Sequence, residues 1–297
     1  MTILSGCGTA LVTPFKVDGG IDIDALRGLV NWQIEEGIDF LVACGSTGEA
    51  QTLTAAERRT VVATVLAETA GRVPVMAGAT DNDTSRAVGE ARDLAALGVD
   101  YILTACPYYN KPTQEGLFRH FTAIADAAGK PVCLYNVPGR TAVNLLPETV
   151  LRLAAHPAII AIKEASGSIE QAMQIIAGKP DSFAVLSGED SLTVALIAIG
   201  AVGLISVTSN EAPKAMQELT AAAVAGDYLR ARSLLYRLLP LMDANFLETN
   251  PAPVKAGLHA MGMTTDVVRL PLVPMSQAQR PALLDALTRA GVTWGAR

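Results

Sequence analysis

The chain has 297 residues, half of them hydrophobic and 18% charged, which is the composition of a compact globular protein and excludes a disordered one. A net charge of −6 excludes a surface built for nucleic acid, which needs clustered basic residues. The length fits one large α/β barrel or two average domains.

The first apolar run is "TALVT" from Thr9. "DIDALRGLVNWQIEEG" then reads as a helix, acidic in its first turn and stopping at Gly37. After "DFLVACG" from Asp39, Thr54 with Glu57 three residues on forms a capping box that opens "TAAERRTVVATVLAETAG", ending at Gly71. "PVMAGA" from Pro74, the helix "DTSRAVGEARDLAALG" ending at Gly98, and "DYILTAC" from Asp100 repeat the alternation. Each of these three glycines is expected where a helix C-cap needs positive φ. "PVCLYNV" from Pro131, "AIIAIKEA" from Ala158, "FAVLSGE" from Phe183 and "VGLISVT" from Val202 bring the strand-like runs to eight. They are apolar on both faces, as buried parallel strands should be.

Ser191 to Asn210 carries no charge and is long enough to span a bilayer. A Leu/Ala/Ile helix, a stop at Gly200 and the β-branched strand "VGLISVT" account for it without a membrane. Eight alternations predict a (β/α)8 TIM barrel over residues 1–224, with a C-terminal helical region over 225–297 that includes "NPAPVKAGLHAMG". No G-x-G-x-x-G or G-x-x-x-x-G-K-[ST] follows the first strand, which weakens an open nucleotide-binding sheet. Cys7, Cys44, Cys106 and Cys133 form no C-x-x-C pair, and no charged start precedes a long apolar core in "MTILSGCGTALVTPF". Both point to a reducing cytoplasm. His120, His156 and His259 lack ligand-like spacing, so no metal site is expected.

Barrel enzymes carry their chemistry at the carboxyl ends of the strands. Here those ends read "CGSTGE", "CPYYN", "YNVPGRT" and "IKEASG". Lys163 interrupts the apolar sixth strand. Alternation sets it opposite Ile160 and Ile162, on the face of the small Ala161. Such a lysine either reaches solvent or pairs with Glu164, or it is a nucleophile. Burial disfavours an ammonium ion, and a neutral amine attacks carbonyls to form imines. Tyr135, one strand earlier, is either a core aromatic or a proton carrier beside that amine. Arg140, in the loop after Pro138-Gly139, is either a surface residue or a bidentate carboxylate clamp. Gly45–Glu49 is either a capped turn or an anion-gripping one, and Tyr108 and Tyr109 are either chemical or packed at an interface.

Seven motifs in order carry a resemblance over essentially the whole chain: "GTALVTPF", "GSTGE", "PYYNKPTQEGL", "LYNVPGRT", "IKEASG", "GLISVTSN" and "NPAPVK". Together they resemble the dihydrodipicolinate synthase/N-acetylneuraminate lyase family of pyruvate-dependent class I aldolases. The resemblance implies that Lys163 forms an imine with pyruvate and that no other cofactor is needed. It implies Tyr135 as proton donor and acceptor, with Ser46 and Tyr109 completing a relay, Tyr109 arriving across a dimer interface. Thr47 would contact the pyruvate carboxylate, while Gly188 and the backbone at Ile205 line the site. Arg140 would bind the carboxylate of L-aspartate 4-semialdehyde, which is the pattern of the family's synthases rather than its sugar-acid lyases. The implied product is 4-hydroxy-tetrahydrodipicolinate, made by a homo-oligomer, either a dimer or a tetramer. A keto-deoxy sugar acid or hydroxy-oxo acid as the other substrate, and a barrel without catalysis, remain alternatives.

The chain departs from the family pattern in two respects. Ser46 stands where threonine is commoner. Ala55, Arg58 and Arg86 fall where lysine-inhibited relatives use histidine-like side chains and a glutamate, so feedback by L-lysine is expected to be weak or absent.

Overall fold

The computed structural model describes residues 4–295. Eight parallel strands close into a barrel in chain order, β1 pairing back to β8. They are β1 (Gly6–Ala10), β2 (Phe40–Ala43), β3 (Val75–Gly78), β4 (Tyr101–Ala105), β5 (Val132–Asn136), β6 (Ile159–Glu164), β7 (Ala184–Ser187) and β8 (Gly203–Ser206). Helices α1 (Ile23–Glu35), α2 (Ala55–Thr69), α3 (Thr84–Ala95), α4 (Gln114–Ala128), the short α5 (Pro138–Thr141) and α6 (Pro147–Ala154) alternate with the first strands. Then come α7 (Ile169–Gly178), α8 (Thr193–Ala198) and α9 (Pro213–Val224). Three more helices follow: α10 (Tyr228–Ala244), α11 (Ala252–Ala260) and α12 (Arg280–Ala290). The first strand begins three residues earlier than the run at Thr9 suggests, because Gly6 and Cys7 pair with Gly203 and Leu204.

Period-two alternation divides the core in two. Phe40 and Val42 fill the barrel interior, while Leu41 and Ala43 face the helices. The sixth strand keeps Ala161 and Lys163 inward and Ile162 outward, as expected. Ile160 departs from expectation and packs against the interior cluster. The cause is a register shift: Val132 pairs with Ile159 but Cys133 with Ala161, leaving Ile160 as an extra residue.

Helix ends follow local chemistry. The Thr54–Glu57 capping box forms in both directions. Gly37, Gly71 and Gly98 all have positive φ, but at α2 it is Ala70 that first takes the left-handed conformation, at φ 48°. The uncharged Ser191–Asn210 run resolves into α8, a stop at Gly200 with φ 114°, and β8. Among the described residues no helix is long and apolar enough to cross a membrane.

Candidate active site

The strands β2, β5, β6 and β7 deliver their carboxyl ends to one small cavity of about 40 Å³. Ser46, Thr47, Tyr135, Arg140, Lys163 and Gly188 all line it. An open vestibule of about 680 Å³ adjoins it and shares Val137, Arg140, Glu189, Phe246 and Asn250. A larger concavity elsewhere, between α1, α9 and the C-terminal helices, contains none of the strand-end residues.

Lys163 is 5% exposed and Tyr135 7%; the two are register partners on adjacent strands. The lysine Nζ lies 4.4 Å from the centroid of the tyrosine ring. Among the described residues no carboxylate reaches salt-bridge distance of that nitrogen. The neighbouring Glu164 points the other way and is held by Asn136 Nδ2, Gln171 Nε2 and the Ser166 N–H. The strand's alternation thus separates the two charges and removes the simplest structural reason for the lysine. Gly188 is glycine for a steric reason: a Cβ there would sit 3.0 Å from Lys163 Cε and 2.6 Å from Ala165 Cβ.

Thr47 is buried, and its Oγ1 accepts a hydrogen bond from Asn250 Nδ2 at 3.0 Å. The hydroxyl proton is therefore free to point elsewhere, as a carboxylate ligand requires. Burial raises the carboxyl pKa of Glu189, Asp190 reinforces the rise, and Lys163 and Arg140 oppose it. Two named residues stand apart. Tyr109 is 86% exposed with φ 72° and does not line the cavity. Ile205 is fully buried among the interior residues, and Val207, two residues on, lines the cavity instead. Sequence patterns do not single out Asn250, Glu189 and Phe246, although "NPAPVK" and "FAVLSGE" contain the first two. Among the described residues no group of three or more His, Cys, Asp or Glu could hold a metal ion.

Fold and cavity define the class: a (β/α)8 barrel whose strand-end pocket has a buried lysine in its wall, with helices added at the C-terminus. The chain belongs to the dihydrodipicolinate synthetase family, whose family model matches residues 3–290. A 4-hydroxy-tetrahydrodipicolinate synthase of Koribacter versatilis is 56% identical over 290 residues, 97% of this chain and 97% of its own. One of Trichlorobacter lovleyi is 50% identical over 287 residues, covering 97% of this chain and 98% of its own. Among solved structures, the chloride-inhibited dihydrodipicolinate synthase from Acinetobacter baumannii, complexed with pyruvate, superposes with a TM-score of 0.96 at 43% identity. That match covers 97% of this chain and 99% of the other.

Proposed function

We propose that this protein is a lyase of the 4-hydroxy-tetrahydrodipicolinate synthase type, joining pyruvate to L-aspartate 4-semialdehyde through an imine on Lys163. The observation that carries the reading is a buried lysine in the strand-end cavity, beside the Tyr135 ring and without a carboxylate partner among the described residues. The relatives' shared activity supports the choice of substrates.

The chemistry follows from the groups present. Lys163 Nζ attacks the pyruvate carbonyl carbon, and loss of water leaves the imine. The imine withdraws electrons, so a methyl proton departs and an enamine forms. Its carbon attacks the aldehyde carbon of the second substrate, making the new C–C bond and an alkoxide that takes up a proton. The amine of that substrate then adds to the imine carbon and expels Lys163, which closes the six-membered ring and frees the enzyme. Tyr135 carries protons at these steps with Ser46. The exposure of Tyr109 supports its use across a dimer interface, so the active unit is at least a dimer. Thr47 holds the pyruvate carboxylate, and Arg140, shared by cavity and vestibule, receives the carboxylate of the second substrate.

Borohydride reduction in the presence of pyruvate should leave the Lys163 peptide heavier by the reduced adduct. An unmodified peptide, with the protein folded, sinks the imine reading. Aspartate semialdehyde should be turned over far better than keto-deoxy sugar acids.

Regulation belongs to the same proposal. Arg58 and Arg86 border a groove with Ala55, and their guanidinium groups pair with Glu90 and Asp81. An arginine where a carboxylate would hold an incoming ammonium group repels it. Micromolar L-lysine should leave the rate unchanged, and inhibition in that range overturns this part.

A further inference from the structure

Two of the motifs end on charged residues that the proposed chemistry does not use: Glu49 in "GSTGE" and Lys255 in "NPAPVK". The fold brings them together across 206 residues of sequence. Lys255 Nζ donates to Glu49 Oε1 at 2.5 Å, with each side chain only 1% exposed. Glu49 Oε2 accepts the backbone N–H of Arg269 at 3.0 Å, so both carboxylate oxygens are held. Lys255 also donates to the Val267 carbonyl at 2.9 Å and lies 4.0 Å over the Phe15 ring. This pair sits beside the cavity without lining it.

The same two segments meet a second time. Asn250, five residues before Lys255, donates to Thr47, two residues before Glu49. One contact between two loops leaves them free to rotate about it; two contacts fix distance and orientation together. Between the contact points the turn is rigid. The Gly48 N–H donates to Gly45 O, the Glu49 N–H donates to Ser46 O, and Thr13 Oγ1 donates to Gly48 O. Glu49 itself is left-handed at φ 53°, a conformation costly for a residue with a side chain and kept here by its surroundings.

We propose that the Glu49–Lys255 ion pair is a positioning clamp that holds the Ser46–Thr47 turn and Asn250 in the geometry that receives the pyruvate carboxylate. Neither residue touches substrate; both act through Thr47. The inference rests on the function proposed above. Its consequence is selective: slackening the clamp misdirects the Thr47 hydroxyl and weakens pyruvate binding, while the amine chemistry at Lys163 is untouched.

The test uses the full-length oligomer. Lys255→Met strands a buried carboxylate and is expected to fold poorly, so the informative variants are Glu49→Gln and the charge-neutral pair Glu49→Gln/Lys255→Met. Pyruvate saturation is read both from turnover and from borohydride trapping on Lys163. We expect the pyruvate KM and the half-saturating trapping concentration to rise together by about tenfold, the effect of one misplaced hydrogen bond, with kcat falling less than about threefold. A merely structural pair would lower the active fraction, and hence apparent kcat, without moving KM. Wild-type KM in the double variant overturns the clamp, and so does loss confined to kcat and melting temperature. A wild-type protein that traps no pyruvate overturns the functional reading, and the clamp with it.

Discussion

Lys163 and Lys255 are both buried, and each amine nitrogen lies over an aromatic ring, 4.4 Å from the centroid of Tyr135 and 4.0 Å from that of Phe15. One difference separates them. Lys255 has a carboxylate at 2.5 Å and a carbonyl at 2.9 Å; Lys163 opens onto a cavity and has neither among the described residues. Burial pushes the Lys255 amine down to about 8, with Glu49 opposing the fall. A buried lysine given an acceptor for its protons ties two segments of the fold together. A buried lysine left beside a cavity and a tyrosine ring fits the proposed chemistry. The same side chain is sorted into two roles by what stands within hydrogen-bonding distance.

The comparison breaks first at Lys163. Lys163→Met should cost roughly a thousandfold or more in turnover, since the proposed imine chemistry has no other nucleophile to use. It should leave the melting temperature unchanged or raised, because no buried partner is orphaned. Turnover and thermal unfolding on one preparation check both; a large loss of stability would move Lys163 into the structural class. Lys255→Met should do the reverse. Removing one member of a buried pair leaves Glu49 without its partner, at about 3–5 kcal/mol by denaturant unfolding. The Glu49→Gln/Lys255→Met pair should recover most of that stability. If it recovers none, packing of the lysine stem on Phe15, and not charge, is what holds the region.

The sequence exposes these two lysines unequally for a physical reason. Lys163 stands out because a strand's period of two is short and strict, so a charge on the inward face of an apolar run is visible within a few residues. Lys255 sits in a helix, where a lysine ordinarily carries its charge to water, and its partner lies 206 residues away. The barrel itself is legible from eight buried runs and from caps such as Thr54, because both are local. Ile160 is misplaced by simple alternation because a bulge depends on the neighbouring strand's register. Asn250 escapes notice for the same reason as Lys255: the contact that makes it part of the cavity, with Thr47, is 203 residues distant. Tyr109 is exposed and lies outside the cavity, so the fold of a single chain does not bring it to the other candidate residues.

Glu211 extends the comparison from buried bases to buried acids, with a smaller expected effect. Like Glu49 it is buried, at 1% exposure. Unlike Glu49 it has no cation among the described residues: Oε2 accepts from Asn245 Nδ2 at 2.7 Å, and Oε1 has no partner there. The fold makes room for it, since a Cβ on Gly257 would stand 1.8 Å from that oxygen. Burial pushes its carboxyl up to about 8, Asn245 opposes the rise, and Asp190 adds to it. In the unfolded chain the group titrates near 4.5. Between these values the folded protein keeps a proton that the unfolded chain has released, so stability falls as pH rises through the window. The stabilisation is complete below about 4.5 and gone above about 8. From pH 5 to pH 8 this group should remove about 2 kcal/mol or more, since each tenfold change in a proton-binding equilibrium is worth roughly 1.4 kcal/mol. Glu211→Gln cannot release a proton, so its unfolding free energy should be flatter over the same range. Parallel profiles for the two proteins would show that Glu211 does not exchange its proton on unfolding, and that a buried acid in this barrel keeps its charge even without a lysine beside it.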